Sequence, residues 1–240
     1  MYQWRQYPAL DSLSGLLNKY AMDRASHTDG LPERLHDGLE RIALVSRAEM
    51  WASAGRAGLN PTQAQVLALL AGRPEGLRAR DIAAHLGVSA ASISDTLAAL
   101  LRKGLVGREA DPGDGRAMTV RLSEAGLALA RDLTRAASPV VEALAALPAP
   151  MQEQMLLAQI ALIRQLLDRG VITPQRMCAT CRHFRPNAHP GRARAHHCAF
   201  VDAAIGNRDL RLDCGEHEAA DAVFQAATWT ALARTMAEAR

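Results

Sequence analysis

Aromatic residues are scarce in this chain: three Trp, three Tyr and three Phe among 240 residues, or 4 %. Ala and Leu dominate instead, which favours packed helices over a β-rich fold. No apolar run approaches the length that spans a bilayer, and the opening Met1-Tyr2-Gln3-Trp4-Arg5 has no apolar signal core. The expectation is a soluble cytoplasmic protein with no membrane partner. Neither sign of charge prevails: 28 Lys and Arg face 25 Asp and Glu, giving +3 and a pI near 8.9. That balance tolerates an acidic partner without demanding one. Cysteine is missing everywhere except between Cys178 and Cys214, so a scattered disulfide framework is excluded and the four belong to one local device. There is no phosphate-binding glycine loop, no nucleophile elbow, and no His, Asp and Ser at triad spacing, so the expected protein is not an enzyme. The length allows one large domain, or a domain with an appendage, and a substantial core.

The densest signals lie in residues 77–122. A short helix over 79–86 places Ile82, Ala83 and Leu86 on one side and stops at Gly87, which suits a left-handed helix end. Ser89 is an N-cap, and Ile93, Leu97, Leu100 and Leu101 then recur at helical spacing up to Lys103-Gly104. Helix, four-residue turn and helix with an apolar inner face is the helix-turn-helix pattern, whose second helix enters the DNA major groove. After Gly104 the period falls to two. Strands over 105–109 and 118–122 flank the stretch Ala110-Asp111-Pro112-Gly113-Asp114-Gly115-Arg116-Ala117. A hairpin directly after a recognition helix is a wing, and an arginine near its tip can reach the adjacent minor groove.

The flanks are helical. Leu10, Leu13, Leu16, Leu17 and Tyr20 mark an arm within residues 1–32 that packs on the body or on a second subunit. A long helix over 32–56 carries Leu35, Leu39, Ile42, Val45, Met50 and Trp51 as a stripe. Asn60-Pro61-Thr62-Gln63 is a capping signal for the next helix, which bears Val66, Leu67, Leu69 and Leu70, and Gly76-Leu77 fits a short extended link. Beyond the wing a helix begins at Ser123-Glu124 and runs to about Leu147, kinked or divided at Pro139. Another covers 151–169, and a last one over 219–239 has Val223, Phe224, Ala227, Leu232 and Met236 as its apolar side. Long helices on both sides of a DNA-reading unit are explained by a helical dimer interface. The expected organisation is an arm (1–32), a winged-helix and dimerisation domain (33–170) and a cysteine-rich metal-binding extension with a terminal helix (171–240). The fold class is mainly α with a short β-hairpin wing.

The residues resemble the MarR family of bacterial winged-helix regulators over roughly 33–169. The most specific match is Leu105-Val106-x-Arg108, Asp111-Pro112-x-Asp114-x-Arg116, Val120-x-Leu122-Ser123-x-x-Gly126, which follows that family's wing signature. The resemblance implies a homodimer whose helical ends form the interface and a palindromic operator on double-stranded DNA. It also implies release of DNA by a small-molecule effector or an oxidant. The expected function is a transcriptional regulator, acting as a repressor, with DNA affinity set by such a ligand or by the cysteine site. An iron–sulfur redox sensor, or an interaction module that has kept a winged helix without reading DNA, stands as the alternative.

One departure concerns the recognition helix. Ser89, Ser92, Ser94 and Thr96 offer hydroxyls, but no Arg or Lys occurs before Arg102-Lys103, and Asp95 stands where a base is common. Hydroxyls contact phosphates or bases without the bidentate guanine contact of arginine. Asp95 either accepts from a cytosine amine or pairs with Arg78 or Arg80, and the pairing is the favoured reading. DNA affinity is then expected from Arg78, Arg80, Arg102, Lys103, Arg108, Arg116 and Arg121, each of which is otherwise a solvated charge. Arg116 is the strongest candidate.

The cysteines follow Cys178-x2-Cys181-x16-Cys198-x15-Cys214. A CxxC pair on a turn lets two thiolates converge on one ion, and two later cysteines complete a tetrahedral four-sulfur site. Zinc is the expected occupant, with an iron–sulfur cluster as the alternative because the second pair is split; two disulfides or free thiols are the remaining readings. Arg182, Arg185, Arg192 and Arg194 are expected to favour the thiolate forms. His183, His196, His197 and His217 are candidate substitute ligands, His197 the best placed, though such a histidine is more often a neighbour of the site than a ligand.

Overall fold

The computed structural model describes residues 30–111, 113–135 and 138–238. The expected arm therefore lies outside the described residues except at its very end. Helix α1 spans Leu31–Arg56, with Pro32 in its first turn. Helix α2, Pro61–Ala71, opens on the expected capping box: the Gln63 amide donates to Asn60 Oδ1 (2.8 Å) and the Asn60 amide to Gln63 Oε1 (3.2 Å). The expected link at 76–77 is a strand, β1 (Leu77–Arg78), because Leu77 and Arg78 pair with Val120 and Thr119. Helix α3, Ala79–Leu86, ends on Gly87 at φ +62, and α4, Ala90–Arg102, is capped by Ser89, whose Oγ accepts from the Ser92 amide (3.1 Å).

The wing consists of β2 (Val106–Asp111) and β3 (Asp114–Leu122), and the sheet order is β1-β3-β2. Both strands run further toward the tip than the sequence predicts, β2 to Asp111 and β3 from Asp114. Two carboxylates make that possible. Asp111 Oδ1 accepts from the Gly113 amide (2.8 Å) and Asp114 Oδ1 from the Arg116 amide (3.2 Å), which closes the tip locally. Arg116 consequently lies within β3, close behind the tip.

Helix α5 (Glu124–Arg135) follows, and the expected long helix is divided: α6 (Pro139–Ala145) starts afresh at Pro139, capped by Ser138. Helix α7 is Ala149–Asp168. The first core joins Val66, Leu67 and Leu70 of α2 to Ile82 of α3, Ile93, Leu97 and Leu100 of α4, Val120 of β3 and Ala130 of α5. Each large aliphatic side chain buried here contributes roughly 1.5–3 kcal/mol, so this cluster holds the recognition helix in place. Gly126 of α5 touches the same unit at close range: a Cβ there would stand 1.9 Å from the Leu105 carbonyl oxygen.

A second core belongs to the cysteine segment. Leu157 and Ile160 of α7 pack with Ala179, Cys181, Phe184, Leu210 and Leu232. Its sheet is β4 (Phe184–Arg185), β5 (His196–Cys198) and β6 (Ala203–Ile205), antiparallel in that order. The terminal helix α8, Ala222–Glu238, packs on the cysteine turn through Leu232. Val223, expected on its apolar side, is 81 % exposed, and Phe224 lies under the Arg185 guanidinium, 5.0 Å from its ring centre.

Apolar surface remains open elsewhere. Leu31, Leu35, Leu39, Ile42 and Val45 are all exposed along one side of α1, joined by Val141 of α6 and by Met151 and Leu162 of α7. Among the described residues no single helix is long and apolar enough to cross a membrane.

Candidate functional site

Helix α4 divides its residues by the 3.6-residue period. Ile93, Thr96, Leu97 and Leu100 face the core, while Ser89, Ser92, Ser94 and Asp95 face outward. Thr96 is thereby removed from the expected contact set: it is buried and its Oγ1 donates to the Ser92 carbonyl (2.8 Å), a bond that a hydroxyl on the inner turn satisfies locally. Ser89 and Ser92 share a hydrogen bond between their hydroxyls (2.9 Å) at the exposed helix N-terminus.

The expected pairing of Asp95 with Arg78 or Arg80 is overturned. Arg78 Nε donates to Asp111 Oδ2 (2.7 Å) and its Nη2 lies 3.5 Å from Asp114 Oδ2, while Arg80 neighbours Asp81 (3.5 Å). Asp95 is exposed and has no ion-pair partner among the described residues. The physical reason is the wing: its two tip carboxylates lie closer to Arg78 than Asp95 does and give it two partners. The hydrogen bond from Arg78, then the amide of Gly113, holds the Asp111 carboxyl below its ordinary range, and the same bond raises Arg78. Arg78 is a brace between β1 and the wing tip.

Two other expected contacts are also engaged. Lys103 Nζ donates to the Gly58 carbonyl, tying the end of α4 to the α1–α2 turn. Arg121 Nε donates to the Glu75 carbonyl (3.1 Å) and its Nη1 pairs with Glu109 across the wing (3.0 Å). Arg102, Arg108 and Arg116 are exposed and have no ion-pair partner among the described residues. They form the open cationic set at the end of α4 and on the wing, beside Arg80, which pairs with Asp81.

The cysteine segment draws its four cysteines toward one region from separate stretches of backbone. Cys178 and Cys181 share a single 3-10 turn (Cys178–Thr180, with Cys181 closing it). Cys198 ends β5 opposite Phe184, whose amide donates to the Cys181 carbonyl (3.2 Å). Cys214 lies alongside the approach to the turn: its amide donates to Arg176 O (2.9 Å), and the Cys178 amide donates to Arg211 O (3.0 Å). The Cys178 thiol is raised by burial, relieved in part by the Arg211 amide, and raised again by the proximity of Cys214, Cys181 and Cys198. Cys214 is likewise raised by burial, and its Sγ donates to Glu216 Oε2 (3.3 Å). The expected thiolate-favouring arginines are placed otherwise: Arg182 pairs with Glu218 (3.2 Å), Arg185 covers Phe224, and Arg194 neighbours Asp209 (3.9 Å). Arg211, which the sequence reading missed, is the cation at the sulfurs: its amide donates to Cys178 Sγ (3.3 Å) and its Nη1 to Cys214 Sγ (3.8 Å). Among the described residues no three His, Cys, Asp or Glu side chains already surround a single ion position.

The four histidines each have other work. His196 is fully buried, accepts from the Asn187 amide at Nδ1 (3.0 Å) and bonds Asn207 Oδ1 through Nε2 (2.8 Å), which fixes its ring within the core. His183 bonds Glu218 (2.9 Å), His217 lies 3.0 Å from Thr180 Oγ1, and His197 sits between Asp202 (3.2 Å) and His189 (3.4 Å). Burial lowers the pKa of His217.

A partly exposed ionic joint, also missed by the sequence reading, connects the two cores. Asp213, beside Cys214, accepts from Arg176 Nε (2.6 Å) and from Arg73 Nη1 (3.4 Å). Arg73 is nearly buried at the end of α2 and also donates to the Leu69 carbonyl (2.8 Å); Arg176 Nη2 donates to the Gly72 carbonyl (2.6 Å). Burial would raise the Asp213 carboxyl, but the two guanidiniums outweigh it and hold it below its ordinary range. No sequence period marks such a joint; only the unusual burial of an arginine would have flagged it.

Comparison with known proteins bears on the winged-helix part. Residues 57–117 match the model of the MarR family. No curated protein sequence matches the chain. Among solved structures, a MarR transcriptional regulator from Methanosarcina mazei is similar at a TM-score of 0.50 and 19 % identity, over 57 % of this chain and 98 % of that one. That likeness is one of fold. CouR from Rhodococcus jostii bound to p-coumaroyl-CoA aligns at 0.46 and 23 % identity, over 58 % of this chain and 95 % of that one. A MepR–DNA complex from S. aureus aligns at 0.44 and 21 % identity, over 58 % and 98 % of the two chains.

Proposed function

We propose, from the match of residues 57–117 to the MarR family model, that the protein is a sequence-specific DNA-binding transcriptional regulator of that kind. It acts as a homodimer on a palindromic operator and represses by occupying it. The observation that carries this reading is the outward face of α4. Ser89, Ser92, Ser94 and Asp95 point away from a core that fixes the helix, and Arg102 at its end and Arg108 and Arg116 on the wing have no ion-pair partner among the described residues. The arginines supply the sequence-independent phosphate attraction, while the helix reads base edges. Asp95, released from the pairing expected of it, is the group that accepts from a cytosine amine in the major groove. The exposed aliphatic stripe of α1 supports the dimer: five such side chains on one helix face mark a surface that a second copy would cover. An effector that binds where the interface meets the reading lobe changes the separation of the two α4 helices, so that both no longer fit successive turns of the groove.

The test is fluorescence anisotropy with a duplex from the protein's own promoter region, titrated with salt. Wild type binds with a steep negative salt slope. Arg116→Ala weakens binding more than any other single wing change and lowers that slope by about one. An interaction module would show no salt-dependent binding, and wild-type affinity in Arg116→Ala would reject the role given to the wing.

A further inference from the structure

We propose that Cys178, Cys181, Cys198 and Cys214 bind one zinc ion as thiolates, and that the occupied site positions the wing through Asp213. The regulatory half rests on the DNA-reading function proposed above; the metal half does not.

Cys181 is buried in one small core, Cys178 packs against it, and all four cysteines are free thiols. The backbone sets their approach. One turn carries Cys178 and Cys181, the β4–β5 pairing delivers Cys198, and the two bonds between 176–178 and 211–214 deliver Cys214. Arg211 aims N–H groups at two of the sulfurs, as donors around thiolate ligands do. Closing the site requires the four sulfurs to converge on one point, and Cys214 to release Glu216, to which its thiol donates, while it keeps its bond from Arg211. Four S–H bonds break as four zinc–sulfur bonds form, and four protons pass to solvent. Zinc keeps its charge and no electron moves. The histidines stay outside, each held by a partner that ligation would break. Four thiolates leave no open position, so the centre is structural.

Its structural consequence runs through residues that touch both cores. Asp213 adjoins one ligand and Arg176 precedes another by two positions, so the joint between them is fixed when both ligands are fixed. That joint grips the loop after α2: Arg176 on the Gly72 carbonyl and Asp213 on Arg73, so closely that a Cβ on Gly72 would stand 3.0 Å from Arg176 Nη2. In the same loop the Glu75 carbonyl accepts from Arg121 of β3, and Gly76, at φ +76, lies against Val120 and Arg121 with no room for a side chain. Arg121 in turn pairs with Glu109 on the other wing strand. Loss of zinc frees Cys214 and Asp213, loosens residues 72–76 and lets the wing move.

Metal analysis of freshly purified full-length protein comes first. One zinc per chain in a colourless protein, lost in Cys214→Ser, is the expected result. A brown protein with visible absorption, or one without metal, overturns the zinc assignment. Hydrogen exchange without DNA then tests the relay alone. Zinc removal, and Asp213→Asn with its zinc retained, both speed exchange at residues 72–76 and along β3. Unchanged exchange there overturns the relay whether or not the protein binds DNA. In the binding assay both treatments weaken affinity by about tenfold, within the usual span of coupling between two sites. Wild-type affinity after zinc removal overturns the regulatory role, whereas a zinc-loaded wild type that binds no DNA refutes the DNA-reading function instead.

Discussion

The exposed stripe on α1 makes the sharpest quantitative prediction. Leu35 keeps 60 % of its surface open and Leu39 45 %. Burying a whole Leu side chain is worth roughly 1.5–3 kcal/mol, so each of these has about 1 kcal/mol left to gain from a partner. A two-fold symmetric interface counts every residue twice. The double variant Leu35→Ala, Leu39→Ala therefore removes about 3–4 kcal/mol from association once the Ala methyls are allowed for, or two to three orders of magnitude in dissociation constant. The same change leaves the protomer intact, because Ala is the best helix former and neither Leu contributes much to the cores. Sedimentation velocity across a concentration series reads the dimer, and circular dichroism reads the fold. A tight wild-type dimer, a dissociated variant and unchanged helicity are expected. An equally tight dimer in the variant would refute the assignment of this face, and a monomeric wild type at micromolar concentration would refute the dimer itself.

Other perturbations test the reading lobe. Gly126→Ala forces a Cβ to within 1.9 Å of the Leu105 carbonyl, which also accepts from the Ser123 amide (3.1 Å). Overpacking against backbone of this kind costs about 3 kcal/mol, so thermal unfolding should fall by roughly 10 °C; an unchanged melt would contradict the close approach. Asn60→Ala removes the cap of α2 and lowers stability by about 1 kcal/mol in a urea titration, with Gln63→Ala adding little on top, because the two form one device. Asp95→Asn should retain overall DNA affinity but lose discrimination at one C·G position, and unaltered base preference at every position would remove Asp95 from the readout. The Asp111 carboxyl is depressed by Arg78, so their contact is present at neutral pH and is lost only as pH falls through that lowered value. Wing amide signals should hold from pH 7 down to about 4 and move below it, and a transition near pH 6 would point to another group.

The winged helix was legible because each of its elements is written in local chemistry. The Asn60–Gln63 box, the Gly87 stop, the Ser89 cap and the drop to a two-residue period all act within a few positions. The wing was longer than its composition suggested because Asp111 and Asp114 close the turn themselves. Counting charges was less informative. Arg78, Lys103 and Arg121 look alike in sequence to Arg102, Arg108 and Arg116, yet the first three are held by Asp111, Gly58 and Glu75. An arginine's partner is set by tertiary neighbours tens of residues away, and no period announces it. For the same reason the arginines nearest the cysteines in sequence turn elsewhere while Arg211 serves the sulfurs.

The placement of Asp213 bears on why a winged-helix core would carry such an extension. A module joined only by a tether would leave the reading lobe indifferent to its state. Here Arg73 is nearly buried at the end of a core helix, where an unpaired cation is disfavoured by desolvation, and its carboxylate partner comes from the cysteine segment. Breaking that joint leaves the charge in place without its counter-ion, which is far more destabilising locally than losing a surface pair. Arg73→Met, which removes the charge together with the need for a partner, should therefore fold well and keep its zinc, yet bind DNA with an affinity that no longer responds to zinc removal. Urea midpoints and zinc-dependent anisotropy measured on this variant separate the two roles of the joint. Retained zinc dependence in a stable Arg73→Met protein would mean that the signal travels through Arg176 and Gly72 alone.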